Sequence, residues 1–163
     1  MMECPAAFSQ EFLDDMPYDP RVLLLDRIER FDREQSLIVC RMPTDVQIPF
    51  SDAQRVDPVR HPAHVSGGAI IHVTGMLGFV HAYYMHGLRH VDGWIGYGTH
   101  VHRAVFRKLV KPGEPMYCEC RELRAQFMGS RLFSTYEYSF THEGEVSYES
   151  KQSAVWIKTS AAS

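Results

Sequence analysis

The chain has 163 residues, 45% of them apolar and 23% charged, with a formal net charge of −3. That length carries a core without disulfide or metal staples and suggests one domain spanning 1–163. The mild charge, with Lys and Arg scattered, gives no footprint for nucleic acid or a membrane surface.

The N-terminus, MMECPAAFSQEFLDD, is acidic and lacks the basic start and apolar core of a signal peptide. Residues 1–16 read as a lead-in or cap. Four cysteines are present, Cys4, Cys40, Cys118 and Cys120, and none forms a CxxC pair. On a strand, Cys118 and Cys120 share a face, which does not suit a disulfide. Reduced thiols without an export signal point to the cytoplasm.

Val22–Asp26 is a short apolar run, and Ser36–Arg41 alternates as a strand does. The polar residues 32–35 make the turn between them. Residues 43–66 have no clear period and hold Pro43, Pro49, Pro58 and Pro62. A loop this long in a small domain is usually functional.

From Gly67 the pattern is helical to residue 86. Ile70, Val73, Leu77, Val80 and Tyr84 form one stripe, and Ala69, Met76, Phe79 and Tyr83 fill the next. A helix apolar on most sides is buried. Gly75 and Gly78 each cost about 1 kcal/mol relative to Ala there, which fits a backbone lying close against a sheet. Gly87 is a stop signal. The longest apolar run, 69–84, is broken by His72, Thr74, Gly75, Gly78 and His81, so it does not suit a bilayer.

Four strand-like runs follow: WIGYGTHVHRAVFRK, MYCECRELRAQF, RLFSTYEYSFT and VSYESKQSAVWIK. In the first, the strand near 94–106, Gly96 and Gly98 would let another backbone or a ligand approach closely. KPGEP, MGS and HEGE between them are turn chemistry. One buried helix with five or six antiparallel strands predicts an α+β domain, the sheet wrapped around the helix.

Three stretches carry a family likeness: MPYDPRVLLLDRIERFD, HPAHVSGGAIIHVTGML and HRAVFRKLVKPGEPMYCECREL. Together they resemble the 3-hydroxyacyl-ACP dehydratases of the hot-dog fold, from about residue 16 to 158. The helix start is also similar to that of hot-dog acyl-CoA thioesterases, with Ser66 in place of a His. The resemblance implies an acyl-CoA or acyl-ACP substrate, no cofactor, and a homodimer or dimer of dimers with the acyl tunnel at the subunit interface. It places the thioester carbonyl at the helix start, with Ser66, Gly67, Gly68, Thr74, Tyr97 and Gly98 as substrate-binding positions. The helix start has an independent basis: its first N–H groups lack intrahelical partners, and glycines admit close approach.

The chemistry is less settled than the fold. His61 matches the family's loop His, but the loop is about two residues shorter, and His64 competes. Counted from Gly68, the dehydratase acid falls on Val73 and the thioesterase acid near Gly75, and the helix has no Asp or Glu. Asp52 or Asp57 of the long loop could supply an acid, or His72 or Thr74 could take the role. Three functions stay open: a dehydratase-like hydro-lyase, a thioesterase, and an acyl-thioester binder without turnover. The commoner role of Ser66 is a helix N-cap, and that of His72 a satisfied helix His. His81, His86 and His90 read as surface or helix-end residues. His100 and His102 share a strand face and could join His61 and His64 around a metal, but an HxH pair arises readily by chance, and no metal is expected.

Overall fold

A computed structural model describes residues 2–160. In chain order the elements are β1 (Ala6–Ala7), α1 (Gln10–Asp15), β2 (Arg27–Asp32), β3 (Leu37–Met42), α2 (Gly67–His86), β4 (Trp94–Phe106), β5 (Met116–Met128), β6 (Arg131–His142) and β7 (Glu145–Lys158). The strands form one antiparallel sheet in the order β1-β2-β3-β5-β6-β7-β4. The sheet has seven strands rather than five or six, because the lead-in contributes two-residue β1 beside β2.

The central helix spans the predicted residues. Ser66 caps it, its hydroxyl accepting from the Ala69 amide at 3.2 Å. Gly87, at φ +65°, closes it with its N–H on the Ala82 and Tyr83 carbonyls; only a residue at ease with positive φ ends a helix this way. Val73, Leu77 and Val80 are fully buried against Ile28, Ile38, Met42, Met116 and Phe140 of the sheet. Phe12 of α1 packs on Tyr83 and Tyr84 with ring centroids 5.1 and 5.4 Å apart.

The first long strand lies later than the apolar run suggests. Residues 20–22 form a 3-10 turn capped by Asp19, and Leu24 takes φ +59°, so 22–26 is irregular backbone. Leu23 and Leu25 are buried from that irregular segment. Pairing starts only at Arg27, where Ile28 points inward and Arg27 and Glu29 outward. An apolar run reports burial, and burial does not require a strand.

Two glycine readings also change. Gly75 has open space where a Cβ would stand, while Gly78 lies 3.5 Å from the Tyr138 hydroxyl by the same measure. Only Gly78 therefore lies close against the sheet. Gly96 does not leave room for another molecule, because the ring of Trp156 in the same chain fills that space. Gly98 is open.

Candidate functional site

The start of α2 opens onto a groove lined by His64, Val65, Gly67, Ile70 and residues 106–110. The loop before it is held by a dense set of polar contacts. Ser66 donates its N–H to Ser51 Oγ at 3.0 Å and its hydroxyl to the Pro49 carbonyl at 3.3 Å. With its oxygen also capping Ala69, Ser66 is committed to structure. Gln54 clamps the His64 backbone from both sides: its Nε2 donates to the His64 carbonyl at 2.9 Å, and its Oε1 accepts from the His64 N–H at 3.2 Å. Sequence reasoning missed Gln54, since nothing in a loop's periodicity marks a side chain that bonds backbone ten residues away.

The Ala69 and Ile70 amides are satisfied by Ser66. Among the described residues the Gly67 and Gly68 amides have no intramolecular acceptor. Phenyl rings flank these two glycines. A Cβ on Gly67 would stand 3.2 Å from the Phe106 ring, and one on Gly68 would stand 3.8 Å from Phe50. Two free N–H groups at a helix N-terminus between apolar rings suit a carbonyl oxygen that gains charge.

His64 is half-buried at this groove, and its Nδ1 lies 2.7 Å from the Pro62 carbonyl. A carbonyl only accepts, so Nδ1 carries the proton and the neutral ring keeps Nε2 as an acceptor. His61 is exposed; its Nδ1 contacts the Arg55 carbonyl at 3.2 Å, and its ring meets that of His64 edge-on at 5.1 Å. The two histidines are thus brought together, with His64 nearer the helix start.

The loop acids are placed differently. Asp57 Oδ1 accepts from the Arg60 and Val59 amides at 2.8 and 2.9 Å, and these bonds hold its carboxyl below the usual range. That is the geometry of an Asx turn, where the carboxylate shapes the loop. Asp52 Oδ2 accepts from the Gln47 side-chain Nε2 at 2.7 Å. His72 donates from Nε2 to the Val22 carbonyl at 2.7 Å, tying α2 to the 3-10 turn. On the groove rim Arg107 pairs with Glu149, and Lys108 with Glu145.

Further along the seam between α2 and β4 a second, smaller void is lined by Gly75, Gly78, Gly96, Tyr97, Gly98 and Gln152 with Tyr136, Tyr138 and Trp156. It brings together the predicted Tyr97 and Gly98. Thr74 reaches its edge through Gln152, whose Nε2 donates to Thr74 Oγ1 at 2.9 Å. Gln152 is another residue the sequence reading passes over. The predicted alternation of β7 does not by itself single out one polar side chain.

His100 and His102 stack with centroids 5.5 Å apart, and His102 bonds Ser153. Among the described residues they do not gather with His61 and His64 into a metal-ligating group.

The sequence matches no family model and no curated protein. Solved structures do match. A mutant thioesterase from Pseudomonas aeruginosa superposes with a TM-score of 0.62 at 16% identity, over 96% of this chain and 97% of its own. The chain has the hot-dog fold. A thioesterase from Haemophilus influenzae gives 0.59 at 16% identity, with 94% of each chain covered. Zebrafish thioesterase superfamily member 2 gives 0.57 at 16%, over 88% of this chain and 91% of that one. In this hot-dog chain the long helix starts at the groove, with β4 at the sheet edge beside it.

Proposed function

We propose that this single hot-dog domain binds acyl thioesters at the start of α2 and hydrolyses them. The observation that carries the reading is the pair of unpartnered Gly67 and Gly68 amides at the helix start, where Gly67 and His64 line one groove. The thioester carbonyl docks on those amides. His64 Nε2 takes a proton from water as it attacks, and the amides stabilise the resulting oxyanion; the oxyanion then collapses, the C–S bond breaks, and the imidazolium returns its proton to the departing thiolate. The acyl chain runs along the α2–β4 seam toward Tyr97, Gly98 and the Gly75–Gly78 void.

Hydrolysis fits these groups better than dehydration. Hydration and dehydration at the 2,3 bond need one group for the C2 proton and a second to handle the departing hydroxyl. The helix offers no carboxylate, and Asp57 is engaged in its turn. Activating one water needs one base and one oxyanion site. The thioesterase names of the structural neighbours point the same way. The test presents acyl-CoAs of several lengths together with crotonyl- and 3-hydroxybutyryl-CoA. Free thiol release is the expected result. Change in the enoyl absorbance without thiol release would replace hydrolysis with hydro-lyase chemistry, and saturable binding with neither would leave a binding protein.

We further propose that the groove is completed by a second copy of the chain, in a dimer or a dimer of dimers. The support is an uncovered seam: β4 is an edge strand, and Tyr97, Val101 and Phe106 are 56%, 56% and 48% exposed, with Ile71 of α2 at 41%. A long exposed edge strand invites pairing. Light scattering at micromolar concentration is expected to give at least twice the chain mass, and a clean monomer would end this part of the reading.

Ser66→Ala is expected to lower stability by about 0.5–2 kcal/mol, the usual worth of a Ser cap. Urea unfolding measures it, and an unchanged midpoint would contradict the capping role.

A further inference from the structure

His81, His86 and Glu122 come together at the C-terminal end of α2, the opposite end of the helix from the groove. One ring nitrogen of each His and one carboxylate oxygen lie within 4.8 Å of one another. His86 Nε2 is 2.6 Å from Glu122 Oε2, and Ser134 Oγ donates to Glu122 Oε1 at 2.7 Å. Ser36 Oγ lies 3.3 Å from both His81 Nε2 and Glu122 Oε2, between the two.

Two features are unusual for a merely structural cluster. The Glu122 side chain is 3% exposed, and among the described residues it has no Lys or Arg partner. A buried carboxylate is costly unless a positive charge compensates it, and only the imidazoles stand near. Independently, His81 is fully buried, donates from Nε2 to the Ser36 carbonyl at 2.9 Å, and leaves Nδ1 with no partner. An unpaired buried ring nitrogen calls for an explanation.

We propose that His81, His86 and Glu122 bind a first-row transition metal ion of the zinc class. Two imidazoles and a carboxylate are a donor set such ions favour, whereas calcium and magnesium prefer oxygen alone. The ion supplies a fixed counter-charge for Glu122. It replaces the proton now shared between His86 and Glu122, and those two atoms part to accept metal bonds of about 2.0–2.2 Å. Ser134 orients the carboxylate from outside the coordination shell. Tyr136 packs edge-on against His81 at 5.3 Å and Phe127 against His86 at 5.9 Å, so the walls are aromatic. His86, whose side chain is 19% exposed, is the entry. Bound there, the ion ties the end of α2 to β5, and it is independent of thioester chemistry.

The full-length protein, stripped with chelator, is titrated with Co²⁺ and then Zn²⁺. Calorimetry follows stoichiometry, and the visible absorption of four-coordinate cobalt follows the site. A single ion per chain is expected, with a higher melting temperature on binding. His86→Gln, at a partly exposed position, should weaken binding by about tenfold or more while the chain stays folded by circular dichroism. Glu122→Gln should do the same, and the His100→Gln/His102→Gln double variant should bind as the parent does. No cobalt absorption in the parent, binding undiminished in His86→Gln, or loss in the His100/His102 variant would each overturn the site.

Discussion

His64→Ala is expected to reduce thioester hydrolysis by about 10²–10⁴-fold, the usual worth of a general base, with little change in acyl-thioester affinity. The separation follows from where the parts sit. In the proposed mechanism affinity would come from the Gly67 and Gly68 amides and the apolar seam, which the substitution leaves in place. Turnover needs a group to take the water's proton, and the Pro62 carbonyl holds the His64 ring with Nε2 as its acceptor. His64→Gln should be as slow as the Ala variant, since an amide cannot take a proton near neutral pH. His61→Ala should cost less. Its exposed ring meets the edge of the His64 ring, so in the proposed mechanism it would position that imidazole. Free-thiol kinetics with acyl-CoA, alongside binding by calorimetry, would separate the two roles. Full turnover in His64→Ala would remove this mechanism, and a larger loss in His61→Ala would transfer the base to His61.

Much of the fold is legible in the sequence because local signals agree along α2 and the turns. Ser66, the apolar stripes and Gly87 all mark the same helix, and turn glycines at 113, 129 and 144 take positive φ where KPGEP, MGS and HEGE predict reversals. The polar interior is harder. In a helix buried nearly all round, period alone does not separate a buried His81 from an exposed one, and the surface reading of His81 fails. Its burial depresses the imidazole's pKa, with the Ser36 carbonyl partly offsetting. Glu122 does carry a signal. Met116, Cys118, Cys120 and Glu122 fall on one face of β5, and the first three are inward residues. Strand alternation therefore places the carboxylate inside, as it places Ser134 on the inward face of β6 with Leu132 and Tyr136. Burial alone would raise the Glu122 carboxyl; the His86 and Ser134 bonds outweigh it and keep the group below its ordinary range. What no pattern reveals is that these residues meet His86, because that contact depends on how the helix end lies over the sheet.

The Gly96–Trp156 contact is the place where a residue that reads as an opening proves to be a closure. A Cβ on Gly96 would stand 2.3 Å from the Trp156 ring, and the two residues are direct partners in the β4–β7 ladder. The ring cannot swing aside freely: it is 5% exposed, its Nε1 donates to the Tyr136 hydroxyl at 3.2 Å, and it meets Phe79 edge-on at 5.2 Å. Gly96→Ala is therefore expected to destabilise the protein by about 1–3 kcal/mol through overpacking. Trp156→Ala should cost about 3–5 kcal/mol, since it empties a large buried site and leaves the Tyr136 hydroxyl without that donor. The two changes should not add. With the indole gone, the methyl group that Gly96→Ala introduces enters vacated space, so the double variant should lie close to Trp156→Ala alone. Urea unfolding of the four proteins measures the cycle. Strict additivity, or a Gly96→Ala protein as stable as the parent, would mean that the ring does not hold Gly96 in place, and that the glycine serves the open side of β4 after all.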